Sequence, residues 1–270
     1  MEIKEIRNKW KSSGLENHEA AASFWDSAAA GYENKELPSW QSNEFLRLLA
    51  AKVSFPSAKK SLDVGCGAGN YSLALAPKLK AVIGVDLSPA MIEAAQKKAK
   101  EHDIKNAEFI CADWSLLDIE AIGWQHAFDI VFAHMTPAID SAAALEKMMA
   151  CSKKHCFLTK AAKRQDSVLD PLKRQLGLAP GSVFDEHIGE VFELVWRLGG
   201  CPEFFYRHDS WAVEHPLEEA FVWYRAKLKT QKKIGSGEEQ VIRDYLEKIA
   251  VDGRVKEETR TMIVTMYWQV

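Results

Sequence analysis

The nine residues Ser61 to Gly69, SLDVGCGAG, constrain the fold of this chain more than any other stretch. Leu62 and Val64 flank Asp63 in a short apolar run of the kind that forms a strand buried on both faces. Alternate glycines follow at Gly65, Gly67 and Gly69, where the backbone must turn with positive φ or approach a ligand closely. Tyr71 to Ala76, YSLALA, then reads as a helix. The glycines therefore lie between a strand end and a helix N-terminus, whose free N–H groups can serve a ligand at the carboxyl edge of an open α/β sheet.

The next residues agree with this reading. Ala81 to Val85, AVIGV, has the pattern of a second buried strand and ends at Asp86, near the ~20-residue offset of a carboxylate that binds ribose hydroxyls. Ser88 and Pro89 supply an N-cap and a first-turn proline for the following helix. The loop spacing is GxGxG, with Asn70 where a dinucleotide fingerprint has its last glycine. Asp63, two positions before the loop, suits a cationic ligand better than a pyrophosphate, because like charges repel at short range.

In that order and spacing, SLDVGCGAGNYSLALA, VIGVDLSPAMIEAA, FICADW and FDIVFAHMTPAI resemble the successive motifs of class I S-adenosylmethionine-dependent methyltransferases. The resemblance implies S-adenosyl-L-methionine as methyl donor and S-adenosyl-L-homocysteine as product, with no metal. It implies that Asp63, Gly65, Cys66, Gly67 and Gly69 surround the amino-acid end of the cofactor, and that Asp86 takes the ribose hydroxyls with Leu87 and Met91 beside it. By the same resemblance Asp113 binds the adenine amino group and Trp114 lies beside the ring, while Ala133 to Pro137, including Met135, faces the methyl group and acceptor. On the residues alone, Asp113 has an alternative role as the N-cap of a short helix.

Strand patterns recur at Ala107 to Cys111, Phe128 to Ala133, Cys156 to Lys160, Phe204 to Val213 and the last residues, TRTMIVTMYWQV. Together with helical stripes between them, they predict a Rossmann-like, seven-stranded, mostly parallel sheet with helices on both faces. The resemblance places the last strand antiparallel between strands five and six. Residues 1–57 form an N-terminal helical cap in this reading, and 58–270 the α/β domain, with 214–252 a helical insertion. In the cap, Trp25 and Tyr32 either pack on the core or close over cofactor and substrate as a lid that excludes water.

Methyl transfer from a sulfonium chiefly needs alignment of nucleophile and methyl group and exclusion of water. His134, at the end of the fourth strand, is the candidate general base, its alternative being a hydrogen bond to the loop or the acceptor. A formal charge of −3 gives no general attraction to polyanions. The expected acceptor is therefore a small molecule, with no nucleic-acid partner, rather than a nucleic acid or a protein. No apolar run is long enough for a bilayer and the start lacks a signal-peptide core, so no membrane partner and a cytoplasmic location are expected. An NAD-dependent dehydrogenase and a non-catalytic cofactor-binding protein are the rival readings. The first is disfavoured by the glycine spacing and by Asp63.

Overall fold

The computed structural model describes residues 2–11, 18–55, 59–180 and 186–270. The expected boundary at 57/58 lies outside these residues. Among the described residues, three helices precede the first strand: α1 (Ile3–Lys9), α2 (His18–Glu33) and α3 (Glu44–Lys52). Strands and helices then alternate as β1 (Lys60–Val64), α4 (Asn70–Leu75), β2 (Ala81–Asp86), α5 (Pro89–Glu101), β3 (Ala107–Cys111), β4 (Phe128–His134), α6 (Ala142–Cys151) and β5 (Ser152–Asp166). The chain continues through α7 (Leu169–Gln175), α8 (Glu186–Arg197), β6 (Glu203–Pro216), α9 (Leu217–Lys229), α10 (Ser236–Ile249) and β7 (Arg254–Gln269).

The seven strands form one sheet in the order β3-β2-β1-β4-β5-β7-β6. β1 to β5 run parallel, and β7 lies antiparallel between β5 and β6. Side-chain caps start the helices where the sequence places them. Ser88 accepts from the Met91 amide at 3.1 Å, Ser141 from Ala144 at 3.2 Å and Asn43 from Leu46 at 3.1 Å.

Each face of the sheet is covered. On one side Phe128, Leu145, Met148 and Trp268 pack with Ile6 and Trp10 of the N-terminal segment. On the other, Phe45 and Leu49 of α3 meet Leu75, Phe132, Phe157 and Tyr267. A separate cluster of Leu172, Tyr224, Leu246 and Val255 joins α7, α9 and α10 to β7.

Three strands are longer than their apolar runs predict: β5 has 15 residues, β6 has 14 and β7 has 16. Their polar ends pair with one another, Arg164 opposite Thr261, Asp166 opposite Thr259 and Trp211 opposite Thr259. This ribbon rises past the carboxyl edge of the parallel strands, and α7 and α9 pack against it.

Candidate functional site

β2 and β4 flank β1, so the sheet's strand order reverses there and a crevice opens at the carboxyl ends of these strands. The glycine loop is folded back onto β2. The Gly65 and Cys66 amides both donate to the Val85 carbonyl, at 2.8 and 3.0 Å, and the Gly69 amide donates to Cys66 O at 3.0 Å. Gly65, Gly67 and Gly69 have φ of +69°, +53° and +73°, a region that a side chain makes costly. Gly69 is constrained twice, since a Cβ there would lie 2.8 Å from the Phe109 ring and 2.9 Å from Ala95.

Asp86, at the end of β2, is the electrostatic centre of the crevice. One carboxylate oxygen accepts from the Gly67 amide at 2.8 Å and the other from Ser88 at 3.0 Å. Burial pushes its carboxyl above the usual range, and these two amides pull against that shift. Each oxygen keeps a second lone pair, which fits a pair of ligand hydroxyls.

Asp63 lies under the loop rather than in the crevice. Its carboxylate accepts from Ser72 Oγ at 2.7 Å, and burial pushes its pKa up to about 7 in spite of that bond. The unfolded carboxyl titrates near 3.9, so its contribution to stability is fully present below about pH 4 and is lost as the pH rises through 7. Asp63→Asn is therefore expected to flatten the dependence of unfolding free energy on pH between 5 and 8, as read from urea melts. An unchanged slope would show that the buried carboxyl does not carry it.

α2 closes one side of the crevice and is tied down at two points. Asp26 Oδ1 accepts from Ser88 Oγ at 2.5 Å and from the Ala90 amide at 3.1 Å. The Lys98 ammonium donates to the carbonyls of Tyr32 (2.8 Å) and Lys35 (2.9 Å) and to Asn70 Oδ1, which joins the end of α2 to the start of α4. Trp25 and Tyr32 thereby stand over the glycine loop, in edge contact with ring centroids 6.4 Å apart.

The cavity, open to solvent on one side, is about 360 Å³. Of the residues singled out from the sequence, Trp25, Tyr32, Gly65, Cys66, Gly67, Asp86, Leu87, Met91, His134 and Met135 line it. Asp63, Gly69, Asp113, Trp114 and Ala133 do not. Ala133 is fully buried within β4. Trp114 is turned into the core and its indole N–H donates to the Ala144 carbonyl at 3.2 Å, which corrects the expectation that its ring flanks adenine. Asp113 accepts from the Ser115 amide at 2.8 Å and Ser115 Oγ at 2.7 Å, bonds that close a local turn; no helix follows it before β4, so the alternative N-cap role is not realised as such.

Thr136, within the segment expected to face the acceptor, lines the cavity too, as do Lys35 and Tyr71, which were not singled out. Tyr71 carried a signal, being the first aromatic after the glycines. Lys35 sits in a polar loop with no local pattern to mark it. Its ammonium lies 4.1 Å from the Tyr32 ring centroid.

His134 is packed between aromatic rings, 4.1 Å from the Tyr71 centroid and 4.7 Å from Phe45. Burial first, and then the Arg207 charge, lower its pKa to about 3, and its Nε2 has no hydrogen-bond partner within the protein. So weak a base does not take a proton at neutral pH, which corrects the general-base role. Cys66 is also chemically quiet, because burial and then the charges of Asp63 and Asp86 hold its thiol well above its ordinary pKa.

Residues 56–178 match the family described as a methyltransferase domain. Among curated proteins, the human tRNA (uracil-5-)-methyltransferase homolog A is 50% identical over 50 residues, 18% of this chain and 8% of that protein. The 23S rRNA (uracil(1939)-C(5))-methyltransferase RlmD of Shewanella amazonensis is 32% identical over 115 residues, 42% of this chain and 26% of that protein. The chain thus spans about a quarter or less of the length of these relatives.

The solved structure of YcgJ from Bacillus subtilis superposes with a TM-score of 0.51 at 18% identity, covering 82% of this chain and 96% of that one. Magnesium protoporphyrin IX methyltransferase from Synechocystis PCC 6803, with bound SAH, gives 0.50 at 20% identity, covering 77% and 92%. At these identities the likeness is one of fold. The curated relatives act on RNA by name, and this overturns the expectation of a small-molecule acceptor and no nucleic-acid partner. That expectation rested on net charge, which sums the whole surface and is blind to where its cations lie. No helix among the described residues is long and apolar enough to cross a membrane.

Proposed function

Because residues 56–178 are a class I S-adenosylmethionine-dependent methyltransferase domain, we propose that this protein transfers the methyl group of S-adenosyl-L-methionine to RNA, acting in the cytoplasm. The observation that carries the cofactor half of this reading is the clamp at Asp86, whose two oxygens hold the Gly67 and Ser88 amides while facing the cavity. The acceptor half is supported by the RNA substrates that the curated relatives are named for. It is also supported by cations around the cavity. Lys35 lines it, the charge of Arg164 is felt at Tyr32, and that of Arg207 at Tyr71 and His134.

When bound, the cofactor supplies a sulfonium-activated methyl group that an in-line nucleophile can displace. The residues of the chain hold and shield the reactants. The glycine loop and Asp86 fix one end of the nucleoside, Trp25 and Tyr32 exclude water, and Tyr71 with His134 shapes the acceptor end. The Nε2 of neutral His134 is buried and unpartnered within the protein, and an acceptor polar group that reached it would supply its missing hydrogen bond.

His134→Ala is expected to raise the KM for the RNA acceptor about 10-fold or more, the worth of one buried hydrogen bond, while the cofactor affinity stays unchanged. The pH profile of kcat/KM between 5.5 and 8 should have the same shape in both proteins. An acidic limb that vanishes on substitution would restore the general-base role. Calorimetric titration tests the cofactor: S-adenosylmethionine and S-adenosylhomocysteine should bind and NAD should not, whereas tight NAD binding would refute the assignment.

A further inference from the structure

Away from the cavity, four aromatic rings form a row across α8 and the edge strand β6. Trp196, Phe192, Phe204 and Tyr206 follow one another with ring centroids 6.1, 5.8 and 6.2 Å apart and interplanar angles of 17°, 45° and 14°. The two ends of the row face solvent, Trp196 being 57% and Tyr206 61% exposed. Phe204 alone of the four packs against the core.

Strand register sets basic side chains on the same face of the sheet, two strands in from the row, with the Lys160 ammonium 5.9 Å from the Trp10 ring. Tyr206 pairs with Val264, which pairs with Lys160, and His208 pairs with Met262, which pairs with Lys163. Residues directly opposite in a ladder share a sheet face, so both lysines and His208 lie on the face of Phe204 and Tyr206. Thr159 is the partner of His134, which places Lys160 one residue and Lys163 four residues further toward the edge where the cavity opens. From β6 to His134 on β4 is three strand spacings, about 14 Å.

We propose that this row is a stacking platform for single-stranded RNA, holding nucleotides that flank the one delivered to the cavity. The inference rests on the RNA-acceptor reading. Flat exposed rings on a face that also carries cations about two strand spacings away are what a single strand needs, since each base has a face to stack and each phosphate a charge to neutralise. The rows of Lys160 and Lys163 favour a polyanion over a second copy of the chain, because a twofold contact across the same patch brings like charges together. His134 is on the opposite face of the sheet, so the strand crosses the carboxyl edge to reach the cavity.

Fluorescence anisotropy with a labelled ten-nucleotide single-stranded RNA tests this on the full chain. The double variant Trp196→Ala/Tyr206→Ala is expected to bind at least about 10-fold more weakly than wild type. Trp196→Phe/Tyr206→Phe, which keeps the rings, is expected to bind within about 3-fold of wild type, and all three proteins should bind S-adenosylmethionine equally. Lys160→Gln/Lys163→Gln should make the dependence of affinity on salt shallower. Equal oligonucleotide affinity in all the proteins, with methyl transfer to RNA intact, overturns the platform and leaves the acceptor reading standing. A wild type that neither binds the oligonucleotide nor methylates RNA overturns both. A wild type that binds no RNA but passes from dimer to monomer on the alanine substitutions, read by sedimentation, assigns the face to a second copy and overturns the platform.

Discussion

Replacing Asp86 with alanine is expected to weaken S-adenosylmethionine binding by about 100-fold or more while leaving the protein folded. Two losses combine. The carboxylate would bind the nucleoside hydroxyls directly, and hydrogen bonds to a charged group contribute about 1.5–3 kcal/mol each. It also holds the loop, through the Gly67 amide at 2.8 Å and the start of α5 through Ser88 at 3.0 Å. Removing a carboxylate that burial disfavours relieves part of the folding cost, so the circular dichroism melt should move far less than the calorimetric dissociation constant. A variant that binds the cofactor like wild type would remove Asp86 from the site.

Trp114→Ala should behave in the opposite way. Its ring is 3% exposed, packs in the main core and anchors α6 through the Ala144 carbonyl. Deleting a buried tryptophan typically costs about 3–5 kcal/mol through lost burial and the cavity left behind. For a protein of this size that lowers the melting temperature by roughly 10 °C. The affinity for S-adenosylmethionine, measured well below the melt, should change less than about 3-fold. A large loss of affinity with little loss of stability would return Trp114 to the adenine side.

The contrast between these two residues shows what could be read from the chain. Asp86 is legible because a carboxylate that ends a buried strand, opposite a glycine turn, has few other reasons to be there. Trp114 sits at the corresponding place after β3, but sequence position does not say which way a side chain turns once the strand ends. Here the short turns after Asp113 carry it inward. The strands themselves follow from the alternation of apolar runs, whereas their order, with β7 antiparallel between β5 and β6, is the one that the family resemblance implies.

The lengths of β5, β6 and β7 do not follow from those runs. Their polar halves, such as KAAKRQD and RVKEETR, read as connectors alone and become strands by pairing with each other. α1 is too short for a periodic signal of its own, and its seven residues are held by contacts distant in sequence: Ile6 and the adjoining Trp10 buried against the core, and Arg7 paired with Glu146. The acceptor was misread for a different reason. A net charge of −3 is compatible with Lys35, Lys160, Lys163, Arg164 and Arg207 lying on the loop after α2 and on two strands near one sheet edge.

Transfer of radiolabel from S-adenosylmethionine carrying a labelled methyl group tests the central claim most directly. Protein is incubated with unmodified transcribed RNA and, separately, with a metabolite extract. The expected result is label that enters the RNA, is released as a methylated nucleoside on nuclease digestion, and is absent with Asp86→Ala. Label that enters only the metabolite fraction would contradict the RNA acceptor, and label in neither would contradict methyl transfer itself.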